Sequence, residues 1–168
     1  MPSSDVTILP AREQDVATIL SLIRALADYE RMTEQVVATE DRLRESLFGA
    51  RPFAECVLAW DEGGGNREAV GFALWFPNYS TFLARPGLYL EDLFVLPSRR
   101  GQGIGRALLA HLARVAVERG CGRMEWSVLD WNAPAIGFYR RLGAAPMDEW
   151  TVFRLTGDSL ARLADAGR

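Results

Sequence analysis

The stretch Arg99-Arg-Gly-Gln-Gly-Ile-Gly-Arg-Ala-Leu-Leu109 sets three glycines and three arginines in its first eight positions and then turns apolar. Glycines at 101, 103 and 105 let main-chain N–H groups turn toward a ligand with no Cβ in the way. At a helix start those donors lack an intrahelical partner and the helix dipole adds partial positive charge. The segment therefore reads as an anion cradle, to which Arg100 and Arg106 add full charges. Two other phosphate-binding loops are excluded. The dinucleotide pattern Gly-x-Gly-x-x-Gly fails, because the sixth position counted from Gly101 is Arg106 and counted from Gly103 is Leu108. A P-loop fails because it requires a lysine, and all 19 basic residues of this chain are arginine. The same absence removes Schiff-base chemistry on a lysine.

Immediately upstream, Gly87 leads into Leu88-Tyr-Leu-Glu-Asp-Leu-Phe-Val-Leu96, a strand broken only by two acids. Immediately downstream, Leu108, Leu109, Leu112, Val115 and Ala116 form a helical stripe ending at Gly120, and Arg123 to Leu129 reads as a further strand. A strand, a helix and a strand in succession predict a parallel pair with a right-handed crossover. The loop from Pro97 to Gly105 then lies at the carboxyl end of the first strand, where ligands bind in open α/β sheets. Farther out, Val6 to Leu9 reads as a strand and Arg12 to about Tyr29 as a helix, with Val16, Ile19, Leu20, Ile23 and Leu26 on one face. Thr39 caps a second helix over Glu40 to Phe48, with Gly49 as its stop. Strands Phe53 to Trp60 and Ala69 to Phe76 flank a polar glycine-rich hairpin turn. On the other side, Asn132 and Pro134 open a helix that runs to Leu142 and closes at Gly143. A last strand over Trp150 to Leu155 and a helix over Asp158 to Ala164 follow. No repeat or linker interrupts the chain, which predicts a single domain over residues 1–168.

Composition limits the partners. A chain of 168 residues, 49% hydrophobic, is long enough for one substantial core. Its net charge of −3 argues against a general grip on nucleic acid. No apolar run approaches the roughly 20 residues of a membrane helix, so no membrane partner is expected. Cys56 and Cys121 lie in apolar, strand-like segments and no secretory leader is visible, which points to a reduced, cytoplasmic setting. His111, the only histidine, has no Cys, Asp or Glu at ligand spacing, so no metal site is expected.

Two motifs in order carry a family resemblance. Arg100-x-x-Gly103-x-Gly105, between an apolar strand and an amphipathic helix, resembles the coenzyme A loop of the GNAT superfamily of N-acetyltransferases. Trp131-Asn-Ala-Pro-Ala-Ile-Gly-Phe-Tyr-Arg-Arg-Leu-Gly-Ala144 resembles that family's second segment. Ala27 to Val36, Leu88 to Val95 and Asp130 to Asn132 further resemble the diamine (spermidine/spermine) and thialysine acetyltransferase branch, which is cytoplasmic and homodimeric. The sequence departs from that branch over Asn78 to Gly87, which lacks an Asp-Pro-Trp character, and after Gly143, where it is shorter. The resemblance implies an α/β (α+β) GNAT fold: a mixed, mostly antiparallel sheet with a central parallel pair splayed around acetyl-CoA, and helices on both faces. It implies acetyl-CoA as co-substrate. Its pyrophosphate would lie on the main chain of Arg100, Gly101, Gln102, Gly103, Ile104, Gly105 and Arg106, and its pantetheine arm at Leu93, Phe94 and Val95. Asn132, Ala133, Pro134 and Ala135, at the start of the next helix, complete the expected cofactor contacts together with Tyr139.

Acetyl transfer to an amine needs a neutral nucleophile, charge stabilisation at the thioester oxygen and a proton for the departing thiolate. An alkyl ammonium with a pKa near 10.4 is deprotonated in only about one molecule in 10³ at neutral pH, so a base must act. Glu91 is the candidate; the resemblance implies that it acts through water. Alternation along the strand predicts Tyr89, Glu91 and Leu93 on one face and Leu90, Asp92 and Phe94 on the other, so the two acids do different jobs. Asp92 reads either as a contact for a cationic substrate or as a structural hydrogen-bond partner. Tyr139 follows Asn132 by seven residues, close to two helical turns, and its phenol can protonate a nascent thiolate. The resemblance implies an oxyanion contact from a main-chain N–H near Phe94 or Val95, and further ligand contacts at Glu125, Trp126 and Ser127. Acids at Glu30, Asp92, Glu125, Asp148 and Glu149, with Tyr29 and Trp150 beside two of them, suit a small cationic amine through charge pairing and cation–π contact. The expected reaction is direct acetyl transfer to a polyamine, diamine or thialysine-like primary amine. Another amine (an aminoglycoside, a protein N-terminus or lysine) and a silent acyl-CoA-binding regulator are the alternatives.

Overall fold

A computed structural model describes residues 6–167, which form two compact units divided after Ser127. The ends of the domain expected from sequence, residues 1–5 and 168, lie outside the described residues.

The first unit holds a five-stranded sheet in the order β1-β2-β3-β4-β5. Its strands are β1 (Val6–Pro10), β2 (Glu55–Asp61), β3 (Glu68–Ser80), β4 (Arg85–Val95) and β5 (Met124–Trp126). All neighbours are antiparallel except β4 and β5, which run parallel, joined by α3 (Ile104–Glu118). The mixed sheet with one parallel pair follows the expectation. On one face, α1 (Val16–Tyr29) and α2 (Glu40–Phe48) bury Ile19, Leu22 and Leu47 against Cys56, Leu58, Phe72 and Phe94. On the other, α3 lays its stripe of Ile104, Leu108, Leu109, Leu112 and Ala116 across the sheet. Each apolar stripe recurs at helical spacing, and this is why both helices can close on a sheet face.

Local chemistry explains most element ends. Thr39 Oγ1 accepts from the Arg42 amide at 3.3 Å and starts α2. Gly49 ends it with an ordinary φ of −69°; the requirement for glycine there is space, since a Cβ would run into the Glu45 carbonyl oxygen. Two expectations change. Asn78 to Gly87, read as a loop, is instead the end of a long hairpin: β3 and β4 stay paired out to Ser80 and Arg85, and only residues 81–84 turn. Asn78, Pro86 and Gly87 are poor strand formers and hid the pairing, which depends on main-chain bonds.

The face assignment of β4 also changes. Leu74 pairs with Asp92, but the next residue, Trp75, pairs with Leu90, so Glu91 is an extra residue in a β-bulge. Pairing carries Tyr89, with Phe76, to the face of Asp92 and Phe94; it carries Leu90, with Trp75, to the face of Leu93. Tyr89 and Phe76 rings indeed meet at 5.2 Å. Simple alternation fails because the bulge adds one residue to the count.

The second unit contains α4 (Ala133–Arg141) and α5 (Gly157–Asp165). Trp150 to Leu155, expected as a strand, forms neither strand nor helix. An extended segment becomes a strand only through a ladder of main-chain bonds, and among the described residues this unit has no second strand to supply one.

Candidate active site

The parallel pairing of β4 and β5 ends at Leu90 and Trp126, whereas β4 runs on to Val95. From Glu91 to Val95 the strand is therefore paired on its β3 side alone among the described residues. Each main-chain N–H and C=O is an obligatory hydrogen-bonding group, so this edge offers an unclaimed ladder to a ligand. The Val95 carbonyl is an exception, since it accepts from Arg100 Nε at 3.0 Å.

Acids crowd the same stretch. Glu91, the bulge residue, is exposed. Asp92 is half-buried, and burial, with the added charges of Glu91 and Glu30, pushes its carboxyl up to about 6. Burial also raises Glu30, next to Tyr29 at the end of α1. The Tyr29 ring lies 6.5 Å from that of Phe94. Asp92 thus sits near the middle of the physiological range, where it can hold either a proton or a cation. Cys56, buried beneath, is pushed up to about 12 by burial and by Asp92 and Asp15, which leaves its thiol unreactive.

Beyond β4, Pro97–Arg99 makes one 3-10 turn, and Arg99 forms an ion pair with the buried Asp61. The Arg100 guanidinium lies 4.1 Å over the Tyr29 ring and 5.6 Å from that of Phe94. Gly101 and Gly103 follow with φ of +76° and +80°, a region that disfavours any side chain. Gly103 is the N-cap of α3 and no side chain caps it. The first helical bond runs from the Ala107 amide to the Gly103 carbonyl, so the N–H groups of Ile104, Gly105 and Arg106 precede the ladder. Gln102 lies in the turn between the two glycines, half-buried.

Glu125, a candidate for substrate contact, is already engaged: Asn78 Nδ2 and Arg123 Nε both donate to its Oε2 at 2.9 Å. Ser127 Oγ and Tyr89 Oη lie 2.9 Å apart in a hydrogen bond. Trp126 pairs with Leu90 at the last rung of the parallel ladder. Asn78 and Tyr89 were not singled out from sequence. Nothing in the pattern signals them, because both acquire their partners through strand register.

In the second unit, Asn132 Oδ1 accepts from the Ala135 amide at 3.3 Å and caps α4, with Pro134 in the first turn. Ala133, Pro134 and Ala135 form that turn. Tyr139 lies on α4, its ring 5.4 Å from that of Phe138. Glu149 and Trp150 are exposed in the irregular segment before α5.

Among the described residues no group of three metal-ligating side chains gathers, and no helix is long and apolar enough to cross a membrane.

The chain is similar to known proteins in sequence and in fold. The model of the acetyltransferase (GNAT) family matches residues 19–144. The thialysine N-epsilon-acetyltransferase of Bos taurus is 40% identical, over 95% of this chain and 97% of its own. The L-ornithine N5-acetyltransferase of Arabidopsis thaliana is 36% identical, over 89% of this chain and 84% of its own. Among solved structures, an integron cassette protein from the mobile metagenome of V. cholerae superposes with a TM-score of 0.79 at 26% identity. The match covers 96% of this chain and 99% of that one.

Proposed function

Since the chain belongs to the GNAT family of acetyltransferases, we propose that its acceptor is a small cationic amine of the thialysine, ornithine or polyamine kind. The observation that carries this reading is the Asp92 and Glu30 pair. Two carboxyl groups, both raised by burial, lie by the end of β4 that is open along one edge, and gain most when a cation arrives to neutralise them. The 40% identity to a thialysine acetyltransferase supports the same acceptor class.

Acetyl-CoA brings the activated acyl group, and the chain's own residues fit it. Gly101 holds a positive φ, and a Cβ there would project into open space where a phosphate must approach. The N–H groups of Ile104, Gly105 and Arg106, with the turn of Gly101, Gln102 and Gly103, would hold the pyrophosphate. The open edge of Leu93 to Val95 would bond the pantetheine amides. Asn132 to Ala135 would serve the carrier through the first turn of α4.

Glu91 takes the ammonium proton through water, leaving a lone pair on nitrogen. Its exposure on a bulge gives it solvent for that relay. The new N–C bond forms as the C–S bond breaks. A main-chain N–H at Phe94 or Val95 meets the charge on the acyl oxygen. Tyr139 gives its proton to the leaving sulfur, and the second proton released by the acylated nitrogen restores the phenol. Of the remaining candidates, Asp92, Glu30 and Tyr29 take the substrate's cationic end. Glu125 and Ser127 hold β5 through their bonds to Asn78, Arg123 and Tyr89, with Trp126, Glu149 and Trp150 kept as candidate contacts for the acceptor. Both units serve one acetyltransferase domain, which works as a homodimer in the cytoplasm; the exposed apolar residues Trp150, Val152 and Phe153 support an association between copies.

The deciding experiment is thiol release from acetyl-CoA with thialysine, ornithine, spermidine, an aminoglycoside and a lysine peptide. Turnover with one of the first three and none with the last two is expected. Preference for the peptide or the aminoglycoside would refute the acceptor class. Binding without release for any amine would mark an acyl-CoA-binding regulator.

A further inference from the structure

The two arginines that precede the glycine turn are committed to the protein itself. Arg99 is paired with Asp61, which also accepts the Gly63 amide at 3.0 Å. Arg100 makes a more unusual commitment. Its Nε donates to the last carbonyl of β4, and its planar face covers the Tyr29 ring at 4.1 Å, with Phe94 at 5.6 Å completing the stack. Tyr29 is the last residue of α1, and Glu30 caps it. One side chain therefore spans from the loop that leads to α3, across the end of β4, to the end of α1. A guanidinium satisfies this geometry and an ammonium does not, because only the planar fork can donate in its plane while stacking with its face.

We propose that Arg100 is a positioning residue for the amine: it clamps Tyr29 and Glu30 against the end of β4, rather than lending its charge to the pyrophosphate. The inference rests on the acetyltransferase reading above and changes one role within it. Phosphate recognition then falls to the main-chain donors of the turn and to Arg106, which is exposed in the first turn of α3. The Arg100 guanidinium instead fixes where α1 ends. Glu30 lies close enough to Asp92 to raise its carboxyl, so a shift of the α1 end alters the charge that an incoming ammonium meets.

The test is Arg100→Lys, which keeps the charge and loses the stack, together with Tyr29→Leu and the double variant. Acetyl-CoA affinity is measured by calorimetry, and KM and kcat by thiol release with thialysine. The expected result is a thialysine KM raised about threefold to tenfold in Arg100→Lys, exceeding any fall in kcat, with acetyl-CoA affinity within about twofold of wild type. Tyr29→Leu should give a similar rise, and the double variant no further one. An acetyl-CoA affinity weakened tenfold or more, or an unchanged KM, overturns the clamp. Should the wild-type protein turn over none of thialysine, ornithine and spermidine, the acceptor assignment fails on its own. Calorimetry on Arg100→Gln, which removes the charge, still decides the arginine: affinity within about twofold of wild type supports the clamp, and a tenfold loss rejects it.

Discussion

Asp92 shows how a single half-buried carboxyl sets both stability and pH response. Its folded value of about 6 lies above the ordinary 3.8, so the folded state holds the proton more tightly than the unfolded chain. The sign follows from linkage: the folded state has its full advantage below about pH 4, loses it as pH rises toward 6, and carries the whole penalty above that. Two units of difference correspond to about 3 kcal/mol. Asp92→Asn should therefore stabilise the protein at pH 7.5 by about 1–3 kcal/mol and leave it unchanged at pH 4. Thermal melts of both proteins at the two pH values check this; an equal gain at both would remove the role of ionisation. Tyr139 makes a different demand. Tyr139→Phe keeps the ring that packs beside Phe138 but loses the proton. It should keep acetyl-CoA affinity and lose at least about tenfold in kcat, within the usual yield of general acid catalysis. Steady-state thiol release at saturating amine measures it.

At the scale of elements, glycines divide into those needed for shape and those needed for space. Gly101 belongs to the first kind: Gly101→Ala pays about 1–2 kcal/mol for a left-handed conformation, and should weaken acetyl-CoA binding by about fivefold or more in a titration. Gly49 belongs to the second. Gly49→Ala forces a methyl group onto the Glu45 carbonyl and should cost about 1–3 kcal/mol in a denaturant melt. Its kcat should be unaffected once the protein is folded. The same division separates what the sequence disclosed from what it concealed. Both long helices of the first unit, the glycine turn and the Thr39 and Asn132 caps were legible, because each depends on residues a few positions apart. The length of the β3–β4 hairpin and the Asn78 contact with Glu125 were not, since register joins residues 47 apart in the chain. Asp92 was legible as an acid and illegible as a perturbed one, because burial is a property of its surroundings. The Glu91 bulge has no local signature at all.

For the molecule as a whole, the proposed cofactor site is made of main-chain donors that exist only in the folded state, so on that reading the carrier must stabilise the fold. Acetyl-CoA at about one hundred times its Kd contributes about 2.7 kcal/mol, which in a domain of this size is about 5–10 °C of Tm. A thermal scan against acetyl-CoA concentration reads it directly, and a flat profile would argue against the site. The net charge of −3 has a companion effect. On the proposed reading, attraction for the carrier's phosphates is local to the start of α3, and a net negative chain does not favour other polyanions.

The supernumerary Glu91 also sets a rule for how such a protein can drift. On one side of it the odd positions of β4 look toward α1, and on the other side the even ones do. A codon gained or lost inside Gly87 to Leu90 would exchange Tyr89 with the oily residues beneath α3, whereas residues 81–84 can lengthen or shorten freely. Changes of length are therefore tolerated at the hairpin tip, while the strand keeps its frame.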